Sequence, residues 1–177
     1  MKRLASVLSL SFVLAWLLPA MPACVKEVPE KRKDAELGYR VTFPGRSIGT
    51  RQTEQTPFGE IEWFGRTYTS VARFDQTLSV SVGSLPAGGP GGDSEEEILK
   101  TAKAWISGRF PGQIFDLDSE HGPGFDYASK TSSRVIHGEI VLRRGWLYHA
   151  QGSALNADDP QLKKFLQSFQ VDKETQP

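Results

Sequence analysis

Alternating apolar and polar residues predict β-strands along most of the chain after residue 38. The clearest alternation runs through residues 77–85, where Leu78, Val80 and Val82 share one face of the expected strand. The same pattern recurs in six further segments, which are residues 39–43, 58–68, 114–120, 125–132, 135–143 and 146–153. The second half of the chain is therefore expected to be as rich in strands as the first.

Two segments have helical spacing instead. In the first, Asp93 or Ser94 can cap the helix, Glu96 or Glu97 stands at the capping-box position, and Pro111 lies in the stretch that ends it. Its periodic positions are Ile98, Ala102, Trp105, Ile106 and Arg109. The second begins with Asp159 and Pro160 and places Leu162, Phe165, Leu166 and Phe169 on one face. A sheet packed against two amphipathic helices would bury both apolar stripes, so the sequence predicts an α+β fold.

Arg144 and Gly145 separate the last two strands and have the composition of a two-residue hairpin turn. With that turn, His137 faces Gly152 and His149 faces Ile140, so the two histidines lie on opposite faces of the sheet and cannot share a metal ion. His149 falls among apolar positions, where a hydrogen-bonded core histidine is favoured over a metal ligand. Those positions are Ile136, Ile140, Leu142 and Leu147.

The first 23 residues have the order of an export signal. Lys2 and Arg3 precede an apolar run over residues 4–18 that is too short to span a bilayer. Cys24, the single cysteine, follows Ala23 in a pattern that resembles a lipobox, where bacterial lipoproteins are cleaved and acylated with fatty acids such as palmitate. The lipobox usually has Leu and a small residue where this chain has Met21 and Pro22. An ordinary secretory signal cut near Ala20 or Ala23, with Cys24 a free thiol, is the alternative.

A lipid on Cys24 predicts membrane attachment in a bacterial cell envelope. Val25 follows the cysteine instead of the aspartate of the enterobacterial inner-membrane sorting rule, which favours the outer membrane; otherwise the protein would be periplasmic or secreted. Residues 24–37 are expected to form the lipidated cysteine and a solvated, mixed-charge tether. The folded domain is expected over residues 38–172, followed by a tail over 173–177.

Charge excludes one class of partner. The chain has 21 basic and 21 acidic residues, and loss of Lys2 and Arg3 with the signal leaves 19 against 21. Nucleic acid requires a basic surface to displace its counterions, so we expect no nucleic-acid partner.

Several segments together resemble bacterial lipoproteins and other bacterial proteins with a PsbP-like domain. They are Tyr39-Arg40-Val41-Thr42-Phe43-Pro44-Gly45, the turn Thr56-Pro57-Phe58-Gly59, the central helix, the closing hairpin, and the stretch from Asp159-Pro160 to Phe169. The likeness covers most of residues 39 to 171. It implies an antiparallel sheet of about six or more strands packed with two main helices. It also implies an accessory or binding role, and it carries no catalytic residue onto this chain.

Candidate chemistry is sparse. The glycine-rich run at residues 88–92 lacks the Lys-Ser/Thr pair of a phosphate-binding loop and precedes several acids, so a flexible loop is expected there. Asp116, Asp118 and Glu120, followed by His121, alternate along a predicted strand and could form a weak Ca²⁺ site. A solvated strand face explains the same alternation.

Three functions remain open. The sequence favours a non-enzymatic envelope lipoprotein that binds a protein partner, with no cofactor. The second is a small-ligand carrier with an aromatic-lined pocket, for which the candidate residues are Trp63, Phe64, Tyr68 and Trp146. The third is a metal-assisted hydrolase that uses the acidic cluster at residues 116–120.

Overall fold

A computed structural model describes residues 27–70, 76–86, 94–119 and 122–172. Within these ranges the chain forms two sheets and two helices. Their elements are β1 (Glu30–Asp34), β2 (Tyr39–Phe43), β3 (Ile48–Thr56), β4 (Gly59–Thr69), β5 (Thr77–Ser84), α1 (Glu95–Arg109), β6 (Gly112–Ser119), β7 (Gly122–Lys130), β8 (Val135–Arg143), β9 (Trp146–Ala154), α2 (Pro160–Ser168) and β10 (Gln170–Val171).

The larger sheet has seven strands in the order β3-β4-β5-β9-β8-β7-β6, and every neighbouring pair is antiparallel. The smaller sheet has the order β1-β2-β10 and is also antiparallel. The expected α+β fold, with an antiparallel sheet and two main helices, is confirmed. Most strands pair with their sequence neighbours, because short turns connect them.

Both faces of the large sheet contribute to a hydrophobic core, and strand alternation divides its side chains between them. We call these the α1 face and the α2 face. The α1 face packs under helix α1 and contributes Ile61, Trp63, Phe125, Tyr127, Ile140, Leu142 and Leu147 to its core. The α2 face packs against helix α2 and β2 and contributes Tyr68, Leu78, Val80, Val82, Val141, Tyr148 and Ala150. Each central strand therefore supplies two separate hydrophobic cores.

The helix ends follow the capping signals of the sequence. Ser94 accepts a hydrogen bond from the backbone N–H of Glu97, whose carboxylate accepts one from the N–H of Ser94, so these two residues form the capping box. Asp159 caps α2 by accepting from the N–H groups of Gln161 and Leu162. No helix in the described ranges has both the length and the apolarity needed to cross a membrane.

The closing hairpin has the predicted register. Arg144 and Gly145 both adopt positive φ, at 49° and 77°, as a two-residue turn between twisted strands requires. His137 consequently pairs with Gly152, and His149 pairs with Ile140. The two histidines lie on opposite faces of the sheet.

The prediction of a solvated tether is wrong over Glu30–Asp34, which form β1 and pair with β2 along their whole length. Composition indicated little to bury, but β1 is held by backbone hydrogen bonds at a sheet edge. The carboxylate of Glu30 also accepts from the N–H and hydroxyl of Ser47, at 2.6 and 2.7 Å. Burial raises the pKa of Glu30, yet these bonds and Arg32 outweigh it and lower the pKa to about 2.

We predict that Phe165→Ala will lower the free energy of unfolding by about 3–5 kcal/mol, because the ring is fully buried between α2 and the sheet. Its centroid lies 5.3 Å from that of Phe43 in β2, so one truncation loosens both sheets. Urea unfolding of the full chain measures the change. Lys164→Ala, at an exposed position of the same helix, is the control. Equal midpoints for both variants would show that α2 is not docked as described.

Candidate functional site

The acidic cluster lies only in part within the described chain. Asp116 and Asp118 are on the edge strand β6, where their backbones pair with Phe125 and Pro123. Glu120 and His121, like Cys24, lie outside the described residues. Across the part of the chain that the structure describes, no group of three or more His, Cys, Asp and Glu side chains could hold a metal ion. The Ca²⁺ site stays a prediction from sequence.

The four aromatic residues expected to line one pocket do not share a face. Trp63 belongs to the core of the α1 face, whereas Tyr68 and Trp146 pack into the core of the α2 face. Phe64 follows Trp63 on the same strand and so lies on the opposite face from it. Arg51 lies over the Phe64 ring, 5.0 Å from its centroid. These residues therefore cannot line a single ligand pocket.

The α2 face has a groove where helix α2, packed over β2 and β9, leaves β6, β7 and β8 partly uncovered. Its volume is about 390 Å³. We call it the α2 groove, and its lining side chains include Phe115, Asp126, Ala128, His137, Glu139 and Leu166. Phe115 is 53% exposed and forms an apolar part of the rim of the groove. The groove therefore combines an apolar rim with a polar floor.

Two carboxylates oppose each other at the floor of the groove, because Asp126 of β7 pairs with Glu139 of β8 in the sheet register. Burial, together with the charge of Asp126, raises the pKa of Glu139 from its ordinary 4.5 to about 7. Burial also raises the pKa of Asp126, against the opposing effect of His137. Burial, followed by the charge of Lys163, lowers the pKa of His137, although Asp126 acts to raise it. A cation placed between the two carboxylates would reduce the repulsion between them.

The pair itself could not be predicted from a short sequence pattern, since Asp126 and Glu139 lie in different strands. A usable signal was the run His137-Gly138-Glu139, which puts two ionisable residues on one face of an otherwise apolar strand. Pairing them with Asp126 required the register across the turn at residues 131–134, which contains no glycine or proline to define its type.

On the α1 face, Tyr127 connects three strands. Its register partner is Gly138, and a Cβ there would lie 2.4 Å from the phenol ring, so the ring crosses β8 directly over the glycine. The Tyr127 hydroxyl donates to Gln151 Oε1 at 2.9 Å and is 2.7 Å from His149 Nε2. The hydroxyl has one proton, which it donates to Gln151, so it acts as the acceptor toward the Nε2–H of His149.

His149 has the hydrogen bond expected of a core histidine. Burial, with a smaller contribution from Arg109, lowers its pKa to about 4, so the imidazole is neutral at pH 7. Burial also raises the pKa of Tyr127 far above its ordinary value, which keeps the hydroxyl protonated. The network therefore carries no charge at neutral pH.

Comparisons with known proteins identify a fold. No family model and no curated protein matches the chain. Among solved structures, the chain is similar to the solution structure of cyanobacterial PsbP (CyanoP) from Synechocystis sp. PCC 6803, with a TM-score of 0.53 and 13% sequence identity. The match covers 87% of this chain and 98% of the other. The expected PsbP-like fold is confirmed, and identity this low shows the fold alone.

We predict that Glu139→Gln will stabilise the fold above pH 7 and leave it little changed below pH 4.5. The folded-state pKa is higher than that of an unfolded chain, so the folded protein holds the proton more tightly. Stability conferred by the protonated acid is complete below pH 4.5 and is lost as the pH rises to 7. A glutamine at this position cannot ionise, so the variant should keep the stability that the wild type loses, which is about 2–3 kcal/mol.

Urea unfolding of wild type and variant at each pH measures the difference. Wild type and variant must be compared at the same pH, because His149 also makes stability depend on pH. Its pKa is lowered in the folded protein, so its contribution to stability is lost as the pH falls, over a range that overlaps with that of Glu139. Glu36→Gln, at an exposed position in the turn before β2, is the control. A difference for Glu139→Gln that does not vary with pH would show that the carboxylate is solvated.

Proposed function

We propose that this protein is a non-enzymatic accessory lipoprotein of a bacterial envelope that binds a protein partner through the α2 groove. The observation that supports it is the pairing of Asp126 with Glu139 on a sheet floor rimmed by exposed Phe115. The PsbP-like fold is compatible with an accessory role. A lipid on Cys24, following the export signal, would hold the protein at a membrane, and the residue at position 25 favours the outer one.

The partner should carry a lysine or arginine side chain into the groove. Two facing carboxylates in a partly buried site repel each other, and a guanidinium or ammonium between them would turn that repulsion into charge-assisted hydrogen bonds. Lys163 of α2 is near enough to influence His137, but its ammonium group pairs with Asp158 at 2.6 Å. The ammonium group of Lys163 is therefore engaged elsewhere, and a cation from the partner would neutralise the charge that remains on the pair at neutral pH.

Apolar contact would come from the rim. Phe115 and Leu166 lie on opposite sides of the carboxylate pair, on β6 and α2. Buried aromatic anchors next to a charged contact are typical of the residues that dominate protein interfaces. In the sheet order of the described strands, β6 has a neighbour on one side only, so a partner can approach along that edge.

We predict that Cys24→Ser will release the protein from membranes while the domain remains folded. Lipid attachment requires the cysteine thiol, and the sequence contains no other cysteine to replace it. Membrane fractionation and labelling with a fatty-acid analogue measure the two effects. Wild-type protein that carries no label and stays in the membrane fraction would contradict lipidation at this position.

We predict that a photo-crosslinking phenylalanine analogue in place of Phe115 will capture an envelope protein in cells. The same analogue in place of Ile48 is the matched control, because Ile48 is 72% exposed and lies on the opposite edge strand, β3. Combining Asp126→Asn with Glu139→Gln should reduce capture at position 115 by about tenfold or more.

The crosslinked partner peptide should contain a lysine or arginine near the attachment point. Capture that is equal at positions 48 and 115, or that persists in the doubly substituted protein, would contradict the proposed role of the groove.

A further inference from the structure

A second concave site lies on the α1 face, between the sheet and the C-terminal half of α1. It is a cavity of about 180 Å³, which we call the α1 cavity. Its polar lining comes from three strands on the sheet side, namely Gln52 of β3, Ser79 and Ser81 of β5, and His149 and Gln151 of β9. Trp63 of β4 and Trp105 of α1 also line it, and the rest of the wall comes from Glu54, Ile106, Arg109 and Phe110.

The polar lining is unexpected beneath an amphipathic helix. In β5, the residues that face α2 are Leu78, Val80 and Val82, all fully buried, whereas Ser79 and Ser81 alternate with them and face the cavity. An ordinary core would place aliphatic side chains there to fill the space under α1. Hydroxyl and amide groups can form hydrogen bonds inside the cavity, which aliphatic side chains cannot do.

Trp63 supplies an independent indication of a ligand. Its side chain is 3% exposed, and its indole Nε1–H has no hydrogen-bond partner among the described residues. A Cβ on Gly83 of β5 would lie 2.9 Å from Cε3 of the indole, so the benzene edge faces β5. The Nε1 edge therefore points the other way, toward Gln52, its register partner on β3 and a cavity-lining residue. A buried donor without an acceptor destabilises the fold, and an oxygen of a bound ligand would supply the missing acceptor.

The charged groups at the cavity neutralise one another. Arg109 forms an ion pair with Glu54, and both residues line the cavity. The Arg109 guanidinium also lies over the ring of Trp105, 5.3 Å from its centroid, and that ring stacks on Trp63 at 6.1 Å. The remaining titratable residue, His149, is neutral at pH 7. A charged ligand would find no free counter-charge here, so the lining suits a neutral molecule.

We infer that the α1 cavity binds a small neutral hydroxylated molecule, no larger than a monosaccharide, with one oxygen accepting a hydrogen bond from Trp63 Nε1–H. The cavity is smaller than the roughly 300–1,000 Å³ of pockets for drug-sized ligands. It would hold about six water molecules at about 30 Å³ each, a volume close to that of a hexose. The site is separate from the α2 groove, because it lies on the other face of the sheet.

The test uses the full chain labelled with ¹⁵N at the tryptophan indoles, in a detergent without a sugar headgroup. The probes are glycerol, D-glucose and myo-inositol, with glucose 6-phosphate as a charged probe of similar shape. We expect the Trp63 indole resonance to shift saturably with at least one neutral probe, at a dissociation constant of about 1 mM or lower. Trp146, in the core of the opposite face, should not respond.

Trp63→Phe assigns the resonance and removes the donor, and we expect it to weaken binding in calorimetry at least tenfold; Trp146→Phe is the matched control. Ser81→Val fills part of the cavity and leaves the Trp63 indole in place to report folding. This second variant should abolish the ligand-induced shift, and it keeps the inference testable if Trp63→Phe does not fold. The inference is overturned if no neutral probe shifts Trp63 saturably, if Trp63 and Trp146 shift alike, or if glucose 6-phosphate binds more tightly than the neutral probes.

Discussion

The central constraint in this structure is the passage of the Tyr127 side chain across β8 at Gly138. The ring covers the glycine, and its hydroxyl bonds to His149 and Gln151 on the strand beyond, so one side chain links β7, β8 and β9. Phe110, which follows α1, stacks on the same ring at 5.4 Å and 16°. The end of the helix, the register of three strands and one wall of the α1 cavity all depend on position 138 having no side chain.

The two concave sites arise because the helices cover each face of the large sheet only in part. On the α2 face, a Cβ at Gly152 would lie 2.3 Å from Leu162 Cδ1, so α2 sits directly on β9 and leaves β6 to β8 less covered. On the α1 face, α1 closes over polar residues of β5 and β9. The same strand, β8, places Glu139 in the α2 groove and Ile140 in the opposite core. Strand alternation lets one sheet support both sites without either intruding on the other.

Local signals in the sequence were sufficient for much of this fold and for little of its sites. The caps at Ser94 and Asp159 and the turn at Arg144-Gly145 act within a few residues, and all were predictable. The turn also fixed the register that separates His137 from His149. The Asp126–Glu139 pair and the Trp63–Trp105 stack depend on tertiary placement, which no short pattern encodes. Grouping Trp63 with Phe64 failed because consecutive strand residues face opposite ways.

Strand β1 limits how far the domain can lie from a membrane to which Cys24 is anchored. If a lipid is carried by Cys24, six residue steps separate it from Glu30, where pairing with β2 begins. An extended chain covers about 3.3 Å per residue, which limits this linker to about 20 Å. A tether reaching Leu37 would have been about twice as long. The domain would thus lie within about 20 Å of the lipid headgroups, and any protein that it binds would have to reach that same surface.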